Sequence, residues 1–481
     1  MTGLTISRWL ILVTLLNPGL VLPSFGQVIS FGMRKLAYST NQFGFDLLRA
    51  MDKSESSTAF CPICISSSLT MMLMGSQGHS STSLRHALYL WGMQTSEINL
   101  AYHDMMTHLG VNIPVASVHY RNLNPYGQSS STDYRVSLAD NEVNSGNDVA
   151  FLSQVYVQRD FGINYSYHML LQRFYKTAIH PLDFIDNGEE TRQHINAIVE
   201  KETSGKIKDI LPDRQSPTTQ LLLLSALYFK GSLDLNITSS RKRNYISPSS
   251  SSSPSTYKQL NSASNIFGVF SDDTIILEAR NVRIRYAFNR FLNCTTIEMP
   301  FKGGLITLVA MMPTDPYGLD TLLTRLSAQV LSDVINSLEV KRVDVKIPRL
   351  HFETSDRNLS LSLANLGLAY IFKPGYAQLY DISDYKWLHV SDIIHKTYLE
   401  IWETPKTFTN TNINNINTNG GGTTINPSTN PNAKSQYQQS SNNIEVVFDK
   451  PFLFFIMDNI SGLILAMGKH GREPVNYRLP I

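Results

Sequence analysis

Over residues 392–403 the chain sets Tyr398 among charged and polar neighbours such as Lys396 and Glu400, which reads as a strand. From 448 to 457 and again from 463 to 467 apolar residues run almost without a break. Asp458, Asn459 and Gly462 lie between those runs, so the pair reads as a hairpin buried on both faces. Between the strand and the hairpin lies 404–443, rich in Asn, Thr, Gly and Ser and poor in apolar residues. A polar stretch pinned at both ends by buried strands is a presented segment, and binding function commonly lives on such loops.

Earlier segments divide by the same test. In 39–51, Phe43, Phe45, Leu47 and Leu48 cluster on one face with Asp46 and Arg49 opposite, as in an amphipathic helix. Residues 65–74 are apolar all round, as expected of a helix inside a core. The pattern predicts strands at 155–158, 221–229 and within 295–311, and helices at 189–202 and 319–338. Two stretches break it. Residues 121–147 carry Asn-Pro, Tyr-Gly and a Ser run and read as a loop insertion. Residues 238–264 hold a basic triplet, Arg241 to Arg243, and a long Ser/Pro run, and read as a solvated low-complexity insertion.

Composition changes this picture in three places. With 41 basic and 39 acidic side chains, charge gives no reason to expect a nucleic-acid partner. Residues 1–26 carry Arg8, a short apolar core and a small-residue pattern at Ser24 and Gly26, the features of a secretory signal peptide. The mature chain is then expected to be secreted, extracellular and monomeric. Five Asn-x-Ser/Thr sequons suit that compartment, and Asn164, Asn236, Asn358 and Asn459 are the candidate glycosylation sites. The fifth, Asn293, sits beside an expected strand and is set aside.

Chemistry of its own is not in evidence. The chain lacks GxSxG, GxxxxGK, HExxH and a paired CxxC, and its 12 histidines show no metal spacing. No metal, cofactor or catalytic residue is assigned, and the chain is read as no enzyme. Cys61 and Cys64 have a redox-like spacing, yet no strand–turn–helix unit precedes them, so they read as two buried thiols at a helix start. His395 reads as a satisfied core histidine.

Seven stretches in order carry a family resemblance. They are 60–78 with Phe60, Pro62, Gly75 and Gly78; 195–207 with Asn196, Gly205 and Lys206; and 221–231 ending Tyr228, Phe229, Lys230, Gly231. Next come 345–353 with Pro348, Phe352 and Glu353; 363–367 ending in Gly367; 391–396 with His395 and Lys396; and the Pro451-Phe452 hairpin with Met467 and Gly468. Together they resemble the serpins. The resemblance implies an α+β fold with three β-sheets, about eight or nine α-helices and an exposed reactive loop, in one domain over 27–481 with insertions at about 121–147, 238–264 and 404–443.

It also implies a serine-type endopeptidase inhibitor acting as a suicide substrate. An extracellular serine protease would cleave the loop, and the cut loop would insert as a new central strand. The hinge departs from the inhibitory pattern. After Glu403 come Thr404, Pro405, Lys406, Thr407 and Phe408, where inhibitory members have Glu, Gly, Thr and then mostly alanines. On insertion Lys406, Phe408, Asn410 and Asn412 would point inward, and an unpaired buried ammonium costs several kcal/mol. Pro405 lacks a donor for a central strand. The region that opens also departs, with Cys61 and Cys64 where the family has serines and Ser225 where it has Asn. Of that polar group His395 remains, and thiols are poor partners for it.

Counting from the hinge places the cleaved bond near Asn419-Gly420, and counting back from Pro451 near Ser440-Ser441, a disagreement of roughly 21 residues. Lys434-Ser435 is the best basic-residue bond between them. Two functions stand side by side: the protease inhibitor, and a non-inhibitory serpin that binds a partner, ligand or glycan or acts like a chaperone. The hinge favours the second.

Overall fold

The computed structural model describes residues 30–51, 57–110, 147–241, 275–355, 358–402 and 443–471. Its elements, in chain order, are α1 (Phe31–Ala50), β1 (Thr58–Phe60), α2 (Pro62–Met74), α3 (Gly78–Ala87), α4 (Thr95–His108) and β2 (Asn147–Gln158). They continue with α5 (Tyr165–Leu170), β3 (Ile179–Leu182), α6 (Gly188–Glu202), β4 (Leu221–Ser232), β5 (Ile237–Arg241), β6 (Ile275–Asn289), β7 (Cys294–Pro300) and β8 (Ile306–Pro313). Then follow α7 (Leu319–Arg325), α8 (Ala328–Asn336), β9 (Glu339–Pro348), β10 (His351–Ser355), α9 (Leu359–Leu363), β11 (Val390–Trp402), β12 (Ile444–Val447), β13 (Phe452–Asp458) and β14 (Ile464–His470).

Several boundaries differ from the sequence pattern for local reasons. Helix α1 begins eight residues before the expected start because Ser30 caps it, its Oγ accepting from Met33 N at 3.2 Å. The expected helix over 319–338 is two helices. Leu326 is extended, and Ser327 caps α8 by accepting from Val330 N at 3.2 Å. The predicted insertion at 238–264 starts too early, since 238–241 belong to β5 and pair with 275–278 of β6. Asn147, placed in the other insertion, opens β2. The rest of both insertions, the signal segment and 404–442 lie outside the described residues.

The strands form two hydrogen-bonded sheets. Five strands run β10-β11-β4-β2-β3, and the larger sheet runs β1-β14-β13-β8-β7-β6-β9-β12 with β5 beside β6. Against the three sheets expected, the described residues form two, and β6 links β5, β7 and β9 within the larger one. Strand β9 pairs along most of the long β6, 276–286, across a register shift between Ala279 and Val282, while β5 takes the other side of β6 over 275–279 and β7 over 285–289.

Burial explains the placing of the terminal hairpin. Phe452, Leu453, Phe454, Phe455 and Ile456 are all fully buried, as are Ile464, Ala466 and Met467. Both faces of β13 and β14 are therefore inside, which accounts for the unbroken apolar runs. Gly462 closes the hairpin at φ 72°, a left-handed geometry that glycine adopts without strain. At the far edge β1 pairs antiparallel with β14, Phe60 opposite Met467, so the start of the chain closes on its end.

The hairpin turn also holds an ion pair. His108 Nε2, at the end of α4, lies 2.8 Å from Asp458 Oδ2, which also accepts from Ser461 N at 2.8 Å. The hydrogen bond to Asp458 raises the His108 pKa, partly opposed by burial. Burial pushes the Asp458 carboxyl up, but bonds from His108 and Ser461 outweigh it and the net shift is down. The His108 contribution is present below its ordinary value of 6.5 and is lost as pH rises through the raised folded value. The Asp458 contribution is present above 3.8 and is lost as pH falls through the lowered folded value. The pair therefore stabilises most between about pH 4 and 6.5. His108→Gln is expected to cost about 1–3 kcal/mol in that window and less above pH 8, read from urea midpoints. A penalty that grows with rising pH would contradict the assignment.

Candidate functional site

The site is the seam between β4, the central strand of the five-stranded sheet, and its neighbour β11. They run parallel, with Ser225 opposite His395 and Tyr398 opposite Tyr228. Strand β4 is buried on both faces. Leu221, Leu223, Leu227 and Phe229 face the main core, while Leu222, Leu224 and Ala226 join Ile195 and Val199 of α6 in a second apolar cluster. Strand β11 alternates. Ile393, His395, Thr397, Leu399 and Ile401 are buried, and the residues between them are partly exposed.

His395 is the polar node of the seam. Its Nε2 accepts from the Cys61 backbone N–H at 3.0 Å, and its Nδ1 lies 2.9 Å from Ser225 Oγ. A backbone N–H can only donate, so Nδ1 carries the ring proton and donates to Ser225. Thr397 Oγ1 lies 2.9 Å from Nε2 and donates there too. Burial pushes the His395 pKa down to about 3, the hydrogen bond at Ser225 recovering only part, so the ring stays neutral at physiological pH.

Two expectations about this group are corrected. Cys61 and Cys64 are joined in a disulfide and are not thiols. Cys61 caps α2, with Pro62 behind it at the first helical position, and turns its sulfur onto Cys64 N at 3.2 Å. The polar network that thiols could not supply forms without them, through the Cys61 backbone and the Thr397 hydroxyl. Thr397 was the missed residue. Its position two after His395 on one strand face was the available signal.

Towards the end of the seam, beside the point where residue 403 begins, lies a charged group on the partly exposed face. Glu400 accepts from Arg349 Nη2 and Tyr398 Oη and lies 4.0 Å from Lys230 Nζ. Lys230 sits over the Trp402 ring at 4.9 Å. Burial, together with the neighbouring Glu400, raises the Tyr398 pKa. This cluster joins β4, β11 and the β9–β10 connection, and it was not read from the sequence, since its members are distant in the chain.

A family model described as serpin (serine protease inhibitor) matches residues 38–472. The chain belongs to the serpin family. Human Serpin B4 is 26% identical over 446 residues, covering 91% of this chain and 99% of that protein. Intracellular coagulation inhibitor 2 of Tachypleus tridentatus is 24% identical over 442 residues, covering 90% of each. A solved structure described as a tumour suppressing serpin superposes with a TM-score of 0.67 at 19% identity, covering 92% of this chain and 100% of that one. The α+β serpin fold expected from the sequence is the one observed.

Within this serpin the seam gathers Cys61, Cys64, Ser225 and His395, as the sequence reading grouped them. The hinge residues Glu403, Thr404, Pro405, Lys406, Thr407 and Phe408 lie outside the described residues, as do the three candidate bonds. The four candidate sequons lie among the described residues. Asn459 Nδ2 donates to Gly304 O at 2.8 Å, and Asn164 Nδ2 donates to Tyr380 O and Asp381 O. Asn236 and Asn358 are exposed, Asn236 on the turn into β5 and Asn358 at the start of α9.

Proposed function

We propose that this serpin works by presenting its long polar loop to a partner and does not inhibit proteases by loop insertion. The observation that carries this reading is the dryness of the seam set against the chemistry of the hinge. The inward positions of β11, from His395 to Ile401, are at most 2% exposed. A strand inserted between β4 and β11 would share that environment, with Lys406 on its inward side. An ammonium without a buried counter-ion there costs several kcal/mol, and Pro405 leaves one strand's carbonyl unpaired. The loop is read as exposed and ligand-facing, with a protein partner, glycan or small ligand as its target.

A second reading has its own support. The family takes its description from serine protease inhibitors, and two relatives matched over nine-tenths of the chain are named coagulation inhibitors. On that reading a serine protease cleaves within 404–443, at Lys434-Ser435 if it selects a basic residue.

The compartment is proposed as extracellular. The 1–26 segment reads as a secretory signal, and a disulfide persists best in an oxidising environment. Asn164, Asn236, Asn358 and Asn459 are the sequons proposed to carry glycans.

The test is a thermal melt before and after limited proteolysis within 404–443, with a panel of serine proteases. The expected result is a nicked protein that melts where the intact one does, with no denaturant-stable covalent complex. A large upward shift together with a trapped protease would establish the inhibitory reading. The double variant Pro405→Gly with Lys406→Thr then locates the block. It should gain stability on cleavage if the hinge alone prevents insertion.

A further inference from the structure

The redox-like spacing at Cys61 and Cys64 has no part in either reading of the loop, yet the two sulfurs lie at the seam itself. Both cysteines are almost wholly buried, at 0% and 2% exposed. Cys64 Sγ lies 3.7 Å from the carbonyl oxygen of Ala226 on β4, and Cys64 O accepts from Ser153 Oγ of β2 at 3.1 Å. Cys61 N–H holds His395 Nε2 on β11. One four-residue turn therefore touches three adjacent strands of the sheet, including both that border the seam.

We propose that Cys61–Cys64 is a thiol–disulfide exchange site gated by the seam: a dithiol reductant reaches it only when β4 and β11 part from each other, and its reduction loosens the closed sheet. This inference does not depend on how the loop is used.

The geometry assigns the chemistry. Cys64 faces β4, so a thiolate enters from the seam and attacks Cys64 Sγ. Cys61 Sγ is the leaving group, because Cys64 N–H and the first turn of the 13-residue α2 point at it and favour a thiolate there. The second thiol of the reductant then attacks the mixed disulfide at its own sulfur. The reductant leaves as a disulfide, two electrons having passed to the protein and two protons to Cys61 and Cys64. One S–S bond is broken and one is formed.

Reduction has a direct structural consequence. A disulfide sulfur cannot donate to Ala226 O, whereas the Cys64 thiol can. Two thiols also need more room than one bonded pair, in a place with almost no exposed surface. Both changes act on β4 and on the Cys61 N–H that anchors His395. The reduced protein is expected to melt several degrees lower than the oxidised one.

The experiment begins with the full-length protein alkylated under denaturing conditions without reductant. One label is expected, on Cys294, the free cysteine among the described residues. Three labels would overturn the proposal at once. The native protein is then incubated with dithiothreitol, quenched with alkylating agent and followed by mass. Reduction is expected to run at least 100-fold slower than in urea-unfolded protein, the ratio reporting how rarely the seam opens. Thr397→Val, which removes a hydroxyl of the seam without touching either cysteine, should speed native reduction by about tenfold at equal or smaller loss of global stability. Equal rates in parent and variant would mean that the gate is not this seam. Native reduction as fast as in urea would mean that there is no gate. The double variant Cys61→Ser with Cys64→Ser should melt with the reduced protein, and an oxidised-like melt for it would sever the disulfide from seam stability.

Discussion

Replacing Gly468 with alanine is expected to remove at least about 3 kcal/mol of stability and to leave little folded protein at 37 °C. Gly468 lies in β14 at the point where β1 crosses it, opposite Ala59. A methyl group there would enter the contact shell of Thr58 O, 3.0 Å from Ala59 Cα and 2.7 Å from the Phe454 ring. Two of those three obstacles are backbone, which cannot rotate away as a side-chain tip would. Relief requires β1 to leave β14, and that uncovers Phe60 and Met467, which are 1% and 0% exposed. The measurement is a urea midpoint, with circular dichroism to establish residual fold. A midpoint within 0.5 kcal/mol of the parent would mean that β1 is not fixed where it is described.

Removing His395 is the second large effect. His395→Ala should cost about 3–5 kcal/mol, because it leaves the Cys61 N–H, Ser225 and Thr397 hydroxyls unpaired in a dry interior and opens a ring-sized void. The same residue sets an acid sensitivity. Its folded pKa is lowered to about 3, so between pH 6.5 and 3 the unfolded chain binds a proton that the folded chain refuses. Stability therefore falls as pH drops through that window, by about 3 kcal/mol between pH 7 and 4 from this ring alone. His180, lowered to about 4 mainly by burial, acts in the same direction. The difference between parent and His395→Gln isolates the His395 share. A difference independent of pH would show the ring to be charged, or exposed, in the folded state.

How far the sequence could be read follows from where the determining forces lie. The terminal hairpin was legible because burial on both faces removes every polar alternation, and that leaves a mark on consecutive residues. Helix α6 was legible to within a residue because its apolar positions repeat on one face. The break at Leu326-Ser327 was not, since the residues on either side keep a helical pattern and a single capping serine decides the matter. In the site, His395 and Ser225 were grouped correctly through the family resemblance. The disulfide was missed because a CxxC spacing is compatible with thiols, a metal or a bond, and what selects among them is geometry at the start of α2. The Glu400 cluster was illegible for a related reason. Arg349, Lys230 and Glu400 meet only because β4 and the connection leading into β10 flank β11, and that adjacency is a property of topology.

The closing of β14 on β1 bears on how this protein is made. Phe60 pairs with Met467, so the edge that seals the core waits for the last part of the chain to leave the ribosome. At about 5–20 residues per second the roughly 400 residues between them take about 20–80 s. Until β11 is made, at residue 402, α2 has neither β14 nor the closed seam to cover it, and the sulfurs that are inaccessible in the finished molecule stand open to oxidising catalysts. The window for forming Cys61–Cys64 is thus a feature of vectorial synthesis, narrowed by the arrival of β11 and closed when the C-terminal hairpin seals the core.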